Sequence, residues 1–182
     1  TMLAGKVLLN PSGSIRKAVQ ILIDYSKSAN ADLIVTSTHA RRGLPRLLLG
    51  SFAETLALHS PVPVITVNPE AKVKEKIANI VFPTTFYDQY RQPFEEVVEF
   101  AKSIDARLTL FHKEALMPVQ YMSREVYQYL AQEMANRKQT AKEWQAWAIH
   151  HGVPTELILD EKPGYPSLAI AELATEKNFD LI

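Results

Sequence analysis

The turn-rich segment between Ser37 and Ser51 carries the residue types best suited to holding an anion. Two residues separate Ser37 from Ala40, nine more precede Gly50, and Ser51 follows directly. A glycine before a helix permits close backbone approach, and the first N–H groups of that helix point at a bound phosphate. Ser51 to Glu54 also fits a capping box. The segment is expected to contact a phosphate or simply to start a helix, and both can hold at once.

Basic side chains in the same segment offer a second means of holding phosphate. Arg41, Arg42 and Arg46 could form charge-assisted hydrogen bonds to it. Such a loop is more often merely solvated, and that is the interpretation we favour. His39 is expected to serve loop structure, and His59 to lie at a helix end, where the helix dipole favours a cation.

Other kinds of site find little support in the chain. It has no cysteine, which excludes disulfides, thiolate metal sites and cysteine nucleophiles. His150 and His151 are adjacent, so on a helix their side chains diverge by about 100° and cannot readily share a metal. Residues 12–14 lack the ending of a P-loop, and no GxSxG motif is present. With no nucleophile–base pair in view, we predict neither catalysis nor a metal site.

The composition is that of a globular protein without a strong charge bias. The chain has 182 residues, of which 47% are hydrophobic and 22% charged, with 20 basic and 20 acidic side chains. This balance gives no reason to expect nucleic acid or an anionic membrane as a partner. No apolar run reaches the roughly 18–20 residues of a membrane span, and the segment after Thr1 does not read as a signal peptide. We expect a cytoplasmic protein.

Apolar, β-branched runs alternate along the chain with segments of helical periodicity. This alternation predicts an α/β fold with a parallel sheet, and right-handed crossovers then make it doubly wound, with helices on both faces. Strands are predicted at Lys6–Leu9, Asp32–Ser37, Val62–Val67, Ile77–Phe82, Arg107–Phe111, Thr155–Leu159 and Asp180–Ile182. Helices are predicted after Ser14, through Leu56, around 94–101, at Ser123–His151 and at Pro166–Lys177. Because Pro63 lacks an N–H, the strand at Val62–Val67 is expected at a sheet edge.

Two stretches suggest a repeat, with a linker between them. Residues 69–76 (PEAKVKEK) are polar and charged and are predicted to be the linker. The helix-to-strand junction at 22–34 resembles that at 170–182, about one α/β domain further on. One explanation is that the chain spans parts of two successive copies of a domain. The other is that any two amphipathic helix-to-strand junctions look alike, so that the likeness indicates no repeat.

The segment DLIVTSTHARRGLPRLLLGSFAETLALHSPVPVITVNP, which begins at Asp32, resembles the C-terminal part of a universal stress protein domain. ATP-binding members of that family carry Gly, two residues, Gly, nine residues, Gly, then Ser or Thr, and the spacing from Ser37 to Ser51 is similar. HSPVPVITV resembles the family's last strand, which often mediates dimerisation. NIVFPTTFYD, which starts at Asn79, resembles the first strand and loop of a fresh copy, and RLTLFHK its second strand.

The resemblance implies a tandem universal stress protein with a flavodoxin-like, adenine nucleotide alpha hydrolase-like sheet. Residues 1–68 would supply strands 3–5 of one domain, and residues 77–182 strands 1–4 of the next. An alternative is a circular permutation, in which residues 32–67 complete the sheet begun by residues 77–159.

The resemblance also implies where a nucleotide would bind. The matching positions are Ser37, Thr38, Ala40, Gly50, Ser51, Phe52, Thr84 and Thr85. Three of them depart from the ATP-binding pattern: Ser37 and Ala40 add Cβ atoms where the family has glycine, and threonine replaces an acidic residue in the Pro83–Phe86 loop.

We therefore expect a non-catalytic stress-response regulatory protein with weak or absent ATP binding, and a homodimer through Val62–Val67. The alternative is an ATP-binding switch with slow or no hydrolysis. A related adenylating or pyrophosphatase enzyme would need a serine–glycine-rich loop after the first strand, which Phe82–Thr85 does not supply.

Overall fold

The computed structural model describes residues 6–37, 51–68, 74–114 and 123–182. The chain divides into two compact units, Thr1–Val73 and Lys74–Ile182. Both consist of helices and parallel strands, so the predicted α/β class is confirmed. The division lies inside the segment predicted as a linker. The assignment of the units to two successive domain copies stays a prediction.

The first unit is a helix–strand–helix–strand arrangement around a small apolar core. Its strands pair in parallel from Ile34 with Val64 to Ser37 with Val67. One face of the first helix and the middle of the second enclose this core, formed by Val19, Ile23, Ile34 and Leu56. The elements are α1 (Ile15–Ser28), β1 (Ile34–Ser37), α2 (Ser51–His59) and β2 (Val64–Val67).

The predicted strand at Lys6–Leu9 is wrong. Residues 6–9 form no strand, and Val7 and Leu9 are 80% and 79% exposed. An apolar run becomes a strand only where a neighbouring strand offers hydrogen bonds and a buried face. In the described part of this unit, the two strands pair only with each other.

The proline before β2 acts as expected. The carbonyl of Pro63 accepts a hydrogen bond from Ile34 N at 3.0 Å. This bond does not need the N–H that proline lacks. Within the described residues β2 pairs on one side only, with β1. Ser14 lies at the predicted N-cap of α1, but its side chain makes no capping bond, and Asn10 Nδ2 instead donates to Ser14 O at 2.9 Å.

The second unit is a parallel sheet with helices on both sides. Its strands lie side by side in chain order, and a further bridge at Leu181 pairs in parallel with Ile80 on the opposite side of the first strand. The elements are β3 (Asn79–Pro83), α3 (Arg91–Ser103), β4 (Arg107–Lys113), α4 (Arg124–His150), β5 (Thr155–Asp160) and α5 (Pro166–Glu176), with a 3₁₀ turn at Asp88–Tyr90.

The layers of this unit follow from the handedness of its connections. α3 and α4 both belong to crossovers that run in the same direction across the sheet, so they cover one face. Their main contact is Phe94 stacked on Trp144, with ring centroids 4.6 Å apart, above Leu108 and Leu110 of β4. The chain then reverses direction from β5 to Leu181, which assigns α5 to the other face. The unit is therefore doubly wound.

Four of the five helix-to-strand junctions among the described residues share one backbone device, and the exception is the junction from α2 to β2. After each of these four helices a residue adopts positive φ, and the next N–H returns to a carbonyl five residues earlier, as in a Schellman motif. The positive-φ residues are Asn30, Asp105, Gly152 and Asn178. The returning bonds are Ala31–Ser26, Ala106–Ala101, Val153–Ala148 and Phe179–Ala174, at 2.9–3.2 Å. The backbone likeness of 22–34 and 170–182 is thus shared with the junctions after α3 and α4, and only the Asn-x-Asp sequence distinguishes these two.

Asp180 fastens the end of the chain to the start of β3. Its Oδ2 accepts hydrogen bonds from the amides of Ala78 and Asn79, both at 2.9 Å, and Lys74 pairs with Oδ1. The side chain is only 4% exposed. Burial raises the pKa of Asp180, but the Lys74 ammonium and the two amides outweigh it, so the pKa lies below its usual range. Its counterpart in the sequence repeat, Asp32, is exposed.

Candidate functional site

The predicted site residues of the first unit lie partly outside the described residues. Thr38, Ala40 and Gly50 fall there, as do His39, Arg41, Arg42 and Arg46. Ser37 is the last residue of β1, paired in register with Val67.

The first turn of α2 holds the next two predicted residues. Ser51 is exposed, and its carbonyl accepts from Thr55 Oγ1 at 2.6 Å. Phe52 packs against the apolar core of the first unit, so it is structural in this region. The capping box stays a prediction, because α2 already includes Ser51 and Gly50 lies outside the described residues.

In the second unit the predicted Thr84 and Thr85 follow β3 at the carboxyl edge of the sheet. The backbone and side chain of Thr84 are engaged within the fold. Its N–H donates to Phe111 O at 2.9 Å, its carbonyl lies 2.8 Å from His112 Nδ1, and its Oγ1 accepts from Phe86 N at 3.3 Å. Thr85 is exposed. Thr84 is half-buried, so Thr85 is the more exposed of the two.

Phe86 fills the inside of this loop. It has φ +58° and is buried, with its ring edge-on to Trp144 at 5.4 Å and to His112 at 5.9 Å. A bulky residue at positive φ is a genuine conformational outlier. Its aromatic contacts compensate for this strain. The Pro83–Phe86 loop thus has a phenylalanine in its interior.

A buried polar network lies beside this loop, and the sequence interpretation did not single it out. Glu114 Oε2 is 3.1 Å from Arg137 NH1, and Arg137 NH2 donates to Tyr87 Oη at 2.9 Å. His112 Nε2 lies 3.5 Å from Glu114 Oε1 without hydrogen-bond geometry. The signal in the sequence was His-Lys-Glu at the end of an otherwise apolar strand.

A second ion pair at the same edge joins β4 to β5. Lys113 Nζ lies 2.6 Å from Asp160 Oδ2 and also donates to Lys162 O. The Lys113 ammonium, aided by the Lys162 amide, holds the pKa of Asp160 below its usual range. Gly164 passes close to the stem of Lys113, so that a Cβ there would lie 3.8 Å from Lys113 Cε. The loop before α5 therefore covers this lysine.

The carboxyl edge of a parallel sheet is where open α/β folds place ligands. At this edge the second unit offers charged groups that are already paired with one another. Among the described residues no group of three His, Asp or Glu side chains could hold a metal ion. In the same part of the chain no helix combines the length and apolarity needed to cross a membrane.

Comparison with known proteins agrees with the doubly wound fold. The model of the universal stress protein family matches residues 14–68. This match covers α1, β1, α2 and β2, including the segment of the Ser37-to-Ser51 spacing. No protein with a curated description matches the chain.

Solved structures extend the likeness of fold to most of the chain. A universal stress protein from Archaeoglobus fulgidus has 18% identity and a TM-score of 0.58, covering 90% of this chain and 53% of its own. A functionally unknown protein from Pseudomonas aeruginosa has 14% identity and a TM-score of 0.57, covering 88% and 54%. A universal stress family protein from Burkholderia pseudomallei has 14% identity and a TM-score of 0.49, covering 60% and 82%. The chain thus spans about half the length of the first two.

Proposed function

We propose that this chain works as a universal stress protein, a non-catalytic regulator of a cellular stress response in the cytoplasm. The observation that carries the proposal is the family match at residues 14–68, on the segment whose sequence already resembled that family. The tandem arrangement is part of the proposal. It is supported by the division into two units and by the Asn-x-Asp sequence common to the junctions at 30–32 and 178–180.

We propose further that ATP binding is weak or absent. Ser37 and Ala40 carry Cβ atoms at positions where close backbone approach to phosphate needs glycine. In the loop after β3, Thr84 is committed to internal hydrogen bonds and Phe86 occupies the interior. The added Cβ atoms hinder close approach of the backbone to phosphate, and the hydrogen bonds within the fold compete with a nucleotide for Thr84.

Nucleotide content and equilibrium dialysis with labelled ATP and Mg²⁺ test this proposal. We expect purified protein to release no adenine nucleotide on acid extraction, and to bind ATP more weakly than the double variant Ser37→Gly, Ala40→Gly. Variant and wild type should have the same circular dichroism spectrum. Stoichiometric ATP in the wild-type preparation would favour the switch hypothesis instead.

Homodimerisation through Val62–Val67 is also proposed. Its support is the resemblance of HSPVPVITV to the last strand of the universal stress protein family, which often mediates dimerisation. Sedimentation equilibrium at tens of micromolar should give the mass of two chains. A single-chain mass over that concentration range would remove this part of the proposal and leave the rest unaffected.

A further inference from the structure

The strand β5 has an outer edge that no other described strand covers. In the described part of the second unit, β5 pairs with β4 on one side and with no strand on the other. The carbonyls of Pro154 and Asp160 accept hydrogen bonds from amides at opposite ends of β4. Because alternate residues of a strand direct their backbone groups to opposite sides, the N–H and C=O groups that point away from β4 belong to Thr155, Leu157 and Leu159.

These outward groups are a template for another strand. Among the described residues, Thr155 O accepts from Gln145 Nε2 at 3.0 Å, while the groups of Leu157 and Leu159 have no hydrogen-bond partner. Natural sheets usually block such an edge with a bulge, a proline or a charged side chain. The ladder between β4 and β5 has no bulge, and the three residues 157–159 are all apolar.

The charged residues on either side of this apolar segment are neutralised within the unit. Glu156 pairs with Lys177 at 2.8 Å, and Asp160 pairs with Lys113 at 2.6 Å. A strongly charged partner strand would therefore find no free counter-charge on β5 itself. A strand of the same mixed composition, with apolar residues at its centre, suits this edge better.

The side chains of β5 alternate between two faces of the sheet. Leu157 and Leu159 pack against the core beneath α4. Glu156 and Ile158 thus lie on the opposite face, where Glu156 is exposed and Ile158 is half-buried. Any strand added to the edge must place its own side chains beside this acidic and this apolar residue.

We propose that β5 pairs with β5 of a second copy of this chain, antiparallel about a twofold axis at Leu157. Such an axis places Glu156 of each copy opposite Ile158 of the other. An axis at Glu156 would bring two glutamates face to face, and an axis at Ile158 would bring Glu156 opposite Asp160. Like charges directly opposite each other are destabilising, so the charges of β5 select the axis at Leu157.

Pairing about this axis satisfies the outward groups of both copies. Leu157 exchanges two hydrogen bonds with its counterpart, and Thr155 exchanges two with Leu159 at each end, which makes about six main-chain bonds. Thr155 O can take part because a carbonyl has a second lone pair. The contact involves little more than one strand from each copy, so it belongs to the small, weak class of interfaces and forms at high protein concentration. It does not depend on the dimer proposed at Val62–Val67.

A disulfide cross-link tests the proposal, since the natural chain contains no cysteine. The single-cysteine variants Glu156→Cys and Ile158→Cys are mixed at high concentration and oxidised. About the Leu157 axis, the two different cysteines lie directly opposite, roughly 4.5–5.5 Å apart, within reach of a disulfide. Two copies of the same variant place their cysteines on the diagonal, about 7–8 Å apart, which is too far. Each variant alone is therefore the control.

We expect the mixture to give at least roughly fivefold more cross-linked dimer than either variant alone, because only the mixture has opposed cysteines. A mixture that cross-links no more than its components overturns the proposal. Efficient cross-linking of Ile158→Cys alone would place the axis at Ile158 and also refute it. A dimer joined only through Val62–Val67 gives the mass of two chains in sedimentation without requiring this cross-link, so the two proposals fail separately.

A backbone substitution tests whether main-chain hydrogen bonds hold the pair. Thr155→Pro removes an outward N–H but no hydrogen bond to β4. Thr155→Ala is the matched control, since both variants lose the bond from Thr155 Oγ1 to Val153 O and only the proline loses the N–H. Added to both cysteine variants, the proline should reduce the cross-link to the level of the pure variants, and the alanine should leave it unchanged. Equal yields with proline and alanine, in chains with the same circular dichroism spectrum, refute pairing through this edge.

Discussion

Removal of the Asp180 carboxylate should destabilise the second unit. In Asp180→Ala the amides of Ala78 and Asn79 lose their shared acceptor, and Lys74 loses its partner. Unpaired buried amides cost about 1–3 kcal/mol each, and the lower end applies because Ala78 and Asn79 are only half-buried. Lys74 is largely exposed and adds little. We expect a loss of about 2–3 kcal/mol in the free energy of unfolding.

Tryptophan fluorescence during urea unfolding measures this loss of stability in the second unit. The chain has two tryptophans, Trp144 and Trp147, and both lie in α4 of the second unit. With a slope of about 1.5 kcal/mol per molar urea, the midpoint should fall by roughly 1.3–2 M. Asp32→Ala removes the exposed counterpart in the first unit and should leave the tryptophan transition unchanged. Equal midpoints for wild type and Asp180→Ala would refute the reasoning.

The contribution of Asp180 to stability has a defined pH dependence. The pKa of Asp180 is lower in the folded than in the unfolded chain, so its contribution is fully present above the unfolded value of about 3.9. It is lost as pH falls through the folded pKa. The difference in unfolding free energy between wild type and Asp180→Asn should therefore shrink in acid. A difference that widens below pH 4 would contradict the sign.

Substitutions at two further features probe the carboxyl edge of the sheet: the buried ring of Phe86 and the ion pair of Lys113 with Asp160. Phe86→Ala and Phe86→Gly both remove the buried ring, but only glycine adopts the positive φ at this position without strain. The glycine variant should therefore be the more stable by about 1 kcal/mol, whereas alanine is usually the more stabilising of the two residues. A higher urea midpoint for the alanine variant would contradict this. Lys113→Met should lower stability by about 1–3 kcal/mol, since it leaves Asp160 unpaired but only partly buried. Asp160→Asn should lower the free energy of unfolding less in the Lys113→Met background than in the wild type, and a double-mutant cycle measures this difference. Strictly additive losses would argue against an interaction between Lys113 and Asp160.

The helices and strands could be predicted from the sequence because each depends on the spacing and type of the apolar residues within its own segment. Alternating apolar runs and helical faces predicted β1–β5 and all five helices, with ends that differ from those observed by a few residues. Lys6–Leu9 failed for a reason outside its own sequence. Its apolar residues suit a strand, but strand formation depends on a neighbour that the described part of the first unit does not supply.

The candidate site was harder to predict, because its contacts join distant parts of the chain. Thr84 was chosen from a loop pattern, yet its hydrogen bonds are to Phe111 and Phe86 and to the ring of His112, which pattern alone does not show. Glu114 lies directly after β4 and Arg137 in the middle of α4, so the two residues are far apart in the sequence. Polar side chains at the end of an apolar strand indicate that they need hydrogen-bond or ion-pair partners. The sequence does not show which residues those partners are.

α4 has a division within it at Arg137. Towards the C-terminus, Ala141, Trp144 and Ala148 bury the helix against the sheet, while the first turns, from Arg124 onward, are exposed. That leading half, about 13 residues, is close to the length at which an isolated helix is only marginally stable in water. None of the residues of α4 before Arg137 belongs to the apolar core of the second unit. A single helix thus has a half packed on the sheet and a half that contributes nothing to that core, and the guanidinium that contacts Glu114 and Tyr87 lies at the boundary between them.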